Sequence, residues 1–226
     1  LYWIWQNTRH KIIGLCHYRR FFTAQGNWNP HSVRQNPLAF SVEKILTATE
    51  AIEILRGCDM IIVKGNFFTL TQTNLKSVVC ENALNHYVEK IFRKYIALKQ
   101  PDYLKAFDYV SSSYSEYLYE MFITRLKIFD AYCEWLFSFV IDVTEEVLAR
   151  TNLAAIDNPR KYRAVGLVCE RLMTVWLAKN NLRLKELPIM ENLSQPNQLE
   201  QSRGNDDETQ ISVVDLGSGS DRAPVG

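Results

Sequence analysis

Three short apolar runs, KIIGLC (11–16), DMIIVKG (59–65) and YEMFITR (119–125), stand between long stretches of helical spacing. No fold built from a single kind of element accommodates both patterns. Such runs, bounded by charge or glycine, read as buried strands. The stretches between them read as helices: VEKILTATEAIEILRG (42–57, stopped at Gly57), Leu75 to Leu98, QPDYLKAFDYV (100–110), LKIFDAYCEWLFSFVIDVTEEVLAR (126–150) and YRAVGLVCERLMTVWLAKNN (162–181). The fourth carries Leu126, Phe129, Cys133, Leu136, Phe137, Val140 and Val147 on one stripe, which predicts one continuous amphipathic helix. Strands alternating with helices imply an α/β domain whose sheet is partly parallel and flanked by helices. The opening LYWIWQN reads as a short helix, residues 23–41 as a loop rich in Gly, Asn, Pro and Ser, and LKELPIM (184–190) as a short exit.

Charge divides the chain. Residues 1–188 hold 24 Lys and Arg against 18 Asp and Glu, a net of +6, whereas residues 189–226 hold 2 against 7. A mildly basic body suits an anionic ligand or a membrane surface, and lacks the sustained basic stripe that nucleic acid requires. From Glu191 the composition turns to Gln, Asn, Ser, Gly and Asp, too poor in large apolar groups to offset ordering entropy. The expected organisation is therefore a domain over 1–190 and a disordered acidic tail over 191–226. Five widely spaced cysteines form neither a disulfide framework nor a zinc spacing, and read as thiols in a reducing compartment. With no signal peptide and no spanning run visible, a cytoplasmic location is expected.

The densest chemistry follows the first strand. LCHYRRFF (15–22) places His17, Tyr18, Arg19 and Arg20 at its carboxyl end, where open α/β sheets bind ligands. Arginine forks match diphosphate oxygens, and Tyr18 or His17 can donate to a ring or stack on it. Spacing alone leaves open whether this pair takes an anion or one arginine simply meets a helix carboxylate. Glu120, beside apolar residues on the third strand, is a candidate general base. Arg163, Gly166 and Glu170 share one helix face, and Gly166 inside a helix suggests close approach by a backbone or a ligand. In YCEW (132–135) core packing accounts for the aromatics, which leaves Glu134 beside Trp135 as the residue of interest. His31 and His86 have no companions at metal-ligand spacing. Phosphate-loop, dinucleotide, nucleophile-elbow and zinc signatures are absent, as is an Asp-x-Asp pair.

In order, YWIWQN, IGLCHYRRFF, CDMIIVK, QPDYLKAFDYV, YEMFI, FDAYCEWLF and RAVGLVCERLMTVWL resemble a family of uncharacterised domains associated with bacterial glycosyltransferases of capsular and exopolysaccharide loci. The resemblance implies a fold similar to the GT-A type and sugar transfer from a nucleotide-sugar donor to a glycan or lipid-linked glycan acceptor, at the inner face of the membrane. Carried onto this chain, its blocks cover His17, Tyr18, Arg19, Arg20, Arg163 and Arg171, the expected donor ligands, and Glu170, which with Glu120 is the expected catalytic carboxylate. It leaves the cofactor unassigned, a divalent metal being compatible but without a recognised ligand set. Similar sequences usually read YNMFI where this chain has Glu120, and usually carry a strand and helix ahead of YWIW. That second departure leads to the expectation of a missing N-terminal segment. The alternative is a non-catalytic binding or assembly module of a polysaccharide-synthesis complex.

Overall fold

The computed structural model describes residues 1–24, 38–64, 66–67, 83–113, 115–117, 119–150 and 164–192. Its centre is MIIV, the strand β4 (Met60–Val63), in which all four residues are buried. A strand covered on both faces cannot alternate apolar with polar, so it reads as a continuous hydrophobic run. The two faces still separate by period two: Met60 and Ile62 join one cluster, Ile61 and Val63 another.

β1 (Ile12–Leu15), β7 (Phe122–Arg125), β4 and β8 (Leu184–Leu187) form the sheet in the spatial order β1-β7-β4-β8. β1 and β4 run antiparallel to β7, while β4 and β8 are parallel, with Met60 opposite Leu184. This is the partly parallel sheet expected. The larger cluster packs helices against one face: α1 (Tyr2–Asn7), α3 (Ala83–Lys99), α4 (Leu104–Ser112), α5 (Leu126–Phe137), α6 (Val140–Arg150) and α7 (Ala164–Asn180). The other face is covered by α2 (Ala48–Gly57) and by a small sheet of β2 (Arg20–Phe22), β9 (Ile189–Glu191) and β3 (Leu38–Ala39). β5 (Asn66–Phe67) pairs with β6 (Ser115–Glu116).

Three expectations about these elements are corrected. The helix read over 42–57 is a 3-10 turn (Val42–Lys44), an extended residue at Ile45, then α2. Thr47 starts α2 with a capping box: the Glu50 amide donates to Thr47 Oγ1 at 3.3 Å and the Thr47 amide donates to Glu50 Oε2 at 2.8 Å. The long helix over 126–150 breaks at Ser138 and Phe139. There Ser138 Oγ donates to the Trp135 carbonyl at 2.6 Å, Gln100 donates to Ser138 Oγ and Lys99 to the Ser138 carbonyl. The break sends Phe139 fully into the core, edge-on to Trp135 at 5.2 Å. The exit LKELPIM is two strands, one completing each sheet. β8 is held in place where Arg183 grips Asp59 through two guanidinium hydrogen bonds and its backbone amide.

A tail is expected from Glu191, but that residue ends β9; residues 193–226 lie outside those described. So do most of the 23–41 loop, the start of the 75–98 helix, His31, Cys80 and Arg163. Cys16, Cys58, Cys133 and Cys169 are free thiols among the described residues. No described helix is long and apolar enough to cross a membrane.

Candidate active site

LCHYRRFF is a strand, a turn and a returning strand. His17 and Arg20 face each other across an antiparallel bridge, and the Arg20 amide donates to the His17 carbonyl at 3.2 Å. The turn therefore hangs on the carboxyl end of β1, as the sequence suggested. His17 is buried beside the ring of Tyr18 (centroids 4.6 Å apart), which is 42% exposed. The Arg19 guanidinium lies 5.4 Å from the Tyr18 centroid, and that of Arg20 lies 4.3 Å over Tyr119.

Both arginines meet the same carboxylate oxygen. Arg19 Nε is 2.8 Å and Arg20 Nη2 is 3.3 Å from Glu191 Oε1, a contact set by the register that places Arg20 opposite Glu191. The partner is thus a strand glutamate rather than a helix carboxylate. Glu191 is shared between two guanidinium groups. The Arg20 side chain is only 11% exposed and that of Arg19 is 32% exposed.

Glu120 is not on the third strand but in a turn just before β7. Tyr119 and Glu120 both have positive φ, 73° and 48°. This left-handed region is unfavourable for side chains of their size. Glu120 is half-buried, and the pKa of its carboxyl is pushed up to about 7, first by loss of hydration and then by repulsion from Glu170. The Tyr132 hydroxyl is raised well above its ordinary value by burial and by Glu120, and the Cys169 thiol is raised by burial, Glu120 and Glu170. Glu120 and Glu170, fifty positions apart in the chain, therefore share one low-dielectric region. The fold brings both sequence-predicted carboxylates together.

The remaining candidates fare differently. Arg171 has no exposed surface; Nη1 donates to Ser111 Oγ at 3.1 Å and lies 3.6 Å from Glu89. It ties α7 to α3 and α4, so the donor-binding expectation is corrected to an internal ion pair. Gly166 is exposed, and a Cβ placed there meets nothing within 4 Å among the described residues, which corrects the close approach expected at it. Glu134 is exposed, while Trp135 is core, packed on Tyr103 and Tyr132. No three His, Cys, Asp or Glu side chains among the described residues are grouped as a metal site. Sequence reasoning missed Tyr119 and Glu191. The first carries no signal except its place next to Glu120, and the second was masked by the compositional change that begins at that residue.

Among solved structures the chain is similar to the apo structure of the WbbM bifunctional glycosyltransferase, with a TM-score of 0.69 and 21% identity. The match covers 84% of this chain and 35% of that one, so the chain spans about a third of its length. No curated protein matches. The likeness concerns the fold, a mixed α/β architecture with a partly parallel sheet under helices. Matched over residues 1–181, the chain belongs to the family described as a domain of unknown function, DUF4422.

Proposed function

We propose that this domain is a glycosyltransferase that moves a sugar from a nucleotide-sugar donor to a growing capsular or exopolysaccharide glycan at the inner face of the membrane. The observation that carries the reading is the strained Tyr119–Glu120 turn. It puts one side chain under the Arg20 guanidinium and the next among buried groups beside Glu170. An anion site and a near-neutral carboxyl are thereby joined through two consecutive residues. Non-glycine residues with positive φ cluster at functional sites, where surrounding structure over-determines them.

In this reading Arg19 and Arg20 exchange Glu191 for diphosphate oxygens, and Tyr18 stacks on or donates to the donor. Arg163 joins the donor ligands as the family resemblance implies. Preorganised positive charge stabilises the nucleoside diphosphate as it leaves. The bond from the anomeric carbon to the diphosphate oxygen breaks, a bond from that carbon to an acceptor hydroxyl oxygen forms, and Glu120 takes the hydroxyl proton. Its pKa near 7 suits that transfer, because a general base works best with a pKa close to the operating pH. Glu170 adds its repulsion to the loss of hydration that raises that pKa, and holds an acceptor hydroxyl.

The test is nucleoside diphosphate release from a panel of nucleotide sugars, with and without glycan acceptors. Glu120→Gln should lower turnover by roughly 10²- to 10⁴-fold with little change in donor affinity. Undiminished turnover would remove Glu120 from the chemistry. The engagement of both arginines by Glu191 favours a second reading, a non-catalytic assembly module. Calorimetry showing no heat with any nucleotide sugar would decide for it.

A further inference from the structure

Tyr132 on α5 has no exposed surface. Aromatic neighbours fix its ring: it lies edge-on to Phe122 of β7 with centroids 6.3 Å apart, edge-on to Trp176 of α7 at 5.3 Å, and stacked on Trp135 of its own helix at 6.1 Å. A phenylalanine would make the same ring contacts. A buried tyrosine hydroxyl usually finds a partner, yet among the described residues that of Tyr132 has none. An orphaned polar group inside a native fold asks for an explanation, and a role in chemistry is one.

The placement of the ring supplies that role. Phe122, against Tyr132, lies two residues after Glu120, so the strand that fixes the ring also leads out of the Glu120 turn. Of the charges that act on the Tyr132 hydroxyl, Glu120 acts most strongly. The groups that face Glu120 come from three helices. Leu1 presents its amino group from the start of α1, Tyr132 and Cys133 stand on α5, and Cys169 and Glu170 on α7. Glu170 repels a second negative charge, and the amino group is the weakest named influence on Glu120. Burial keeps both thiols protonated, and a thiol is a weak donor. Burial keeps the Tyr132 proton in place as well, but a phenolic O–H donates well to a carboxylate, in a bond about twice as strong as one between neutral groups.

We propose that Tyr132 is a positioning residue for Glu120: its hydroxyl donates to one oxygen of the ionised carboxylate and leaves the other facing the acceptor hydroxyl. The catalytic part of this rests on the sugar-transfer reading; the hydrogen bond does not. The bond tightens as Glu120 gives up its proton and slackens when Glu120 takes the proton of the acceptor. The experiment follows the Glu120 side-chain carboxyl carbon by NMR across roughly pH 5–9, in the parent chain, in Tyr132→Phe and in a chain with a ring-fluorinated tyrosine at position 132. Phenylalanine keeps the packing and removes the donor, so the titration midpoint of Glu120 should rise by about one unit, a ten-fold change in its ionisation constant. The fluorinated ring is a stronger donor and should lower the midpoint, a reversal that altered packing would not produce. With a nucleotide sugar and acceptor, kcat of Tyr132→Phe at pH 7 should fall about five-fold, the loss of ionised base, with KM unchanged and the rate restored at higher pH. The same Glu120 titration in all three chains would overturn the proposal, and the fluorinated chain decides alone if Tyr132→Phe does not fold. Both shifts without any sugar transfer would uphold the hydrogen bond and sink the transfer reading instead.

Discussion

Replacing Arg171 by Met separates a structural arginine from a ligand-binding one. The guanidinium is wholly buried, 3.1 Å from Ser111 Oγ and 3.6 Å from Glu89, whose own side chain is 8% exposed. Methionine nearly preserves the volume but leaves the Glu89 carboxyl without this cation, in a region where hydration cannot replace it. Breaking a buried pair by removing one partner costs about 3–5 kcal/mol. For a chain of this size that corresponds to a fall in melting temperature of roughly 6–20 °C. The double variant R171M/E89L removes both charges and should return to within about 1 kcal/mol of the parent, or exceed it. Urea unfolding of the parent, both single variants and the double variant completes the cycle. A single variant as stable as the parent, yet unable to bind a nucleotide sugar, would refute the ion-pair account and restore Arg171 to the donor site.

Glu120 predicts a stability that declines with pH. Its folded pKa of about 7 exceeds its ordinary value of 4.5, so the folded state holds a proton that the unfolded chain has released. The contribution is fully present below pH 4.5 and is lost as pH rises through 7, by roughly 3 kcal/mol in all at about 1.4 kcal/mol per unit. Denaturation midpoints measured across pH 4.5–7.5 should show this fall, and Glu120→Gln should flatten it. Glu191→Gln removes the carboxylate that competes for Arg19 and Arg20, so inorganic pyrophosphate should bind on the order of ten-fold tighter by calorimetry; unchanged affinity would mean that no anion reaches the arginines. Thr47→Ala dismantles the α2 cap and should cost about 1 kcal/mol in urea unfolding.

What the sequence made legible was whatever is encoded within a few residues. KIIGLC, DMIIV and MFIT announced strands because a doubly covered strand is apolar on both faces. The break at 138–139 was invisible because neither glycine nor proline marks it; only the core site taken by Phe139 and the polar contacts to Ser138 explain it. LKELPIM hid two strands because the middle of β8, Lys185 and Glu186, is exposed, and Pro188 interrupts the run. In the site, Glu120 and Glu170 could be singled out by type and surroundings, but their proximity belongs to the fold. Arg171 and Arg20 look alike in sequence. Only packing makes one an internal brace and the other part of the arginine turn.

The two halves of the candidate site face opposite layers of the sheet, and the 119–120 turn is what connects them. Tyr119 packs with the cluster under α2, where its ring covers Arg20. Glu120 turns to the helical layer, where Tyr132 and Cys133 feel its charge. In an extended strand successive side chains also alternate, but the strand would have to begin two residues earlier and carry Glu120 into the ladder opposite His17 and Lys64. Two left-handed residues, costing of order 1–3 kcal/mol each, keep both side chains out of the ladder at its rim. Their positions are then set by what each contacts. Any anion that draws Arg20 away from Glu191 also alters the ring beneath it, and through one peptide bond the setting of Glu120. In the proposed reading, that ring contact and that peptide bond link occupancy of the arginine turn to the protonation of Glu120.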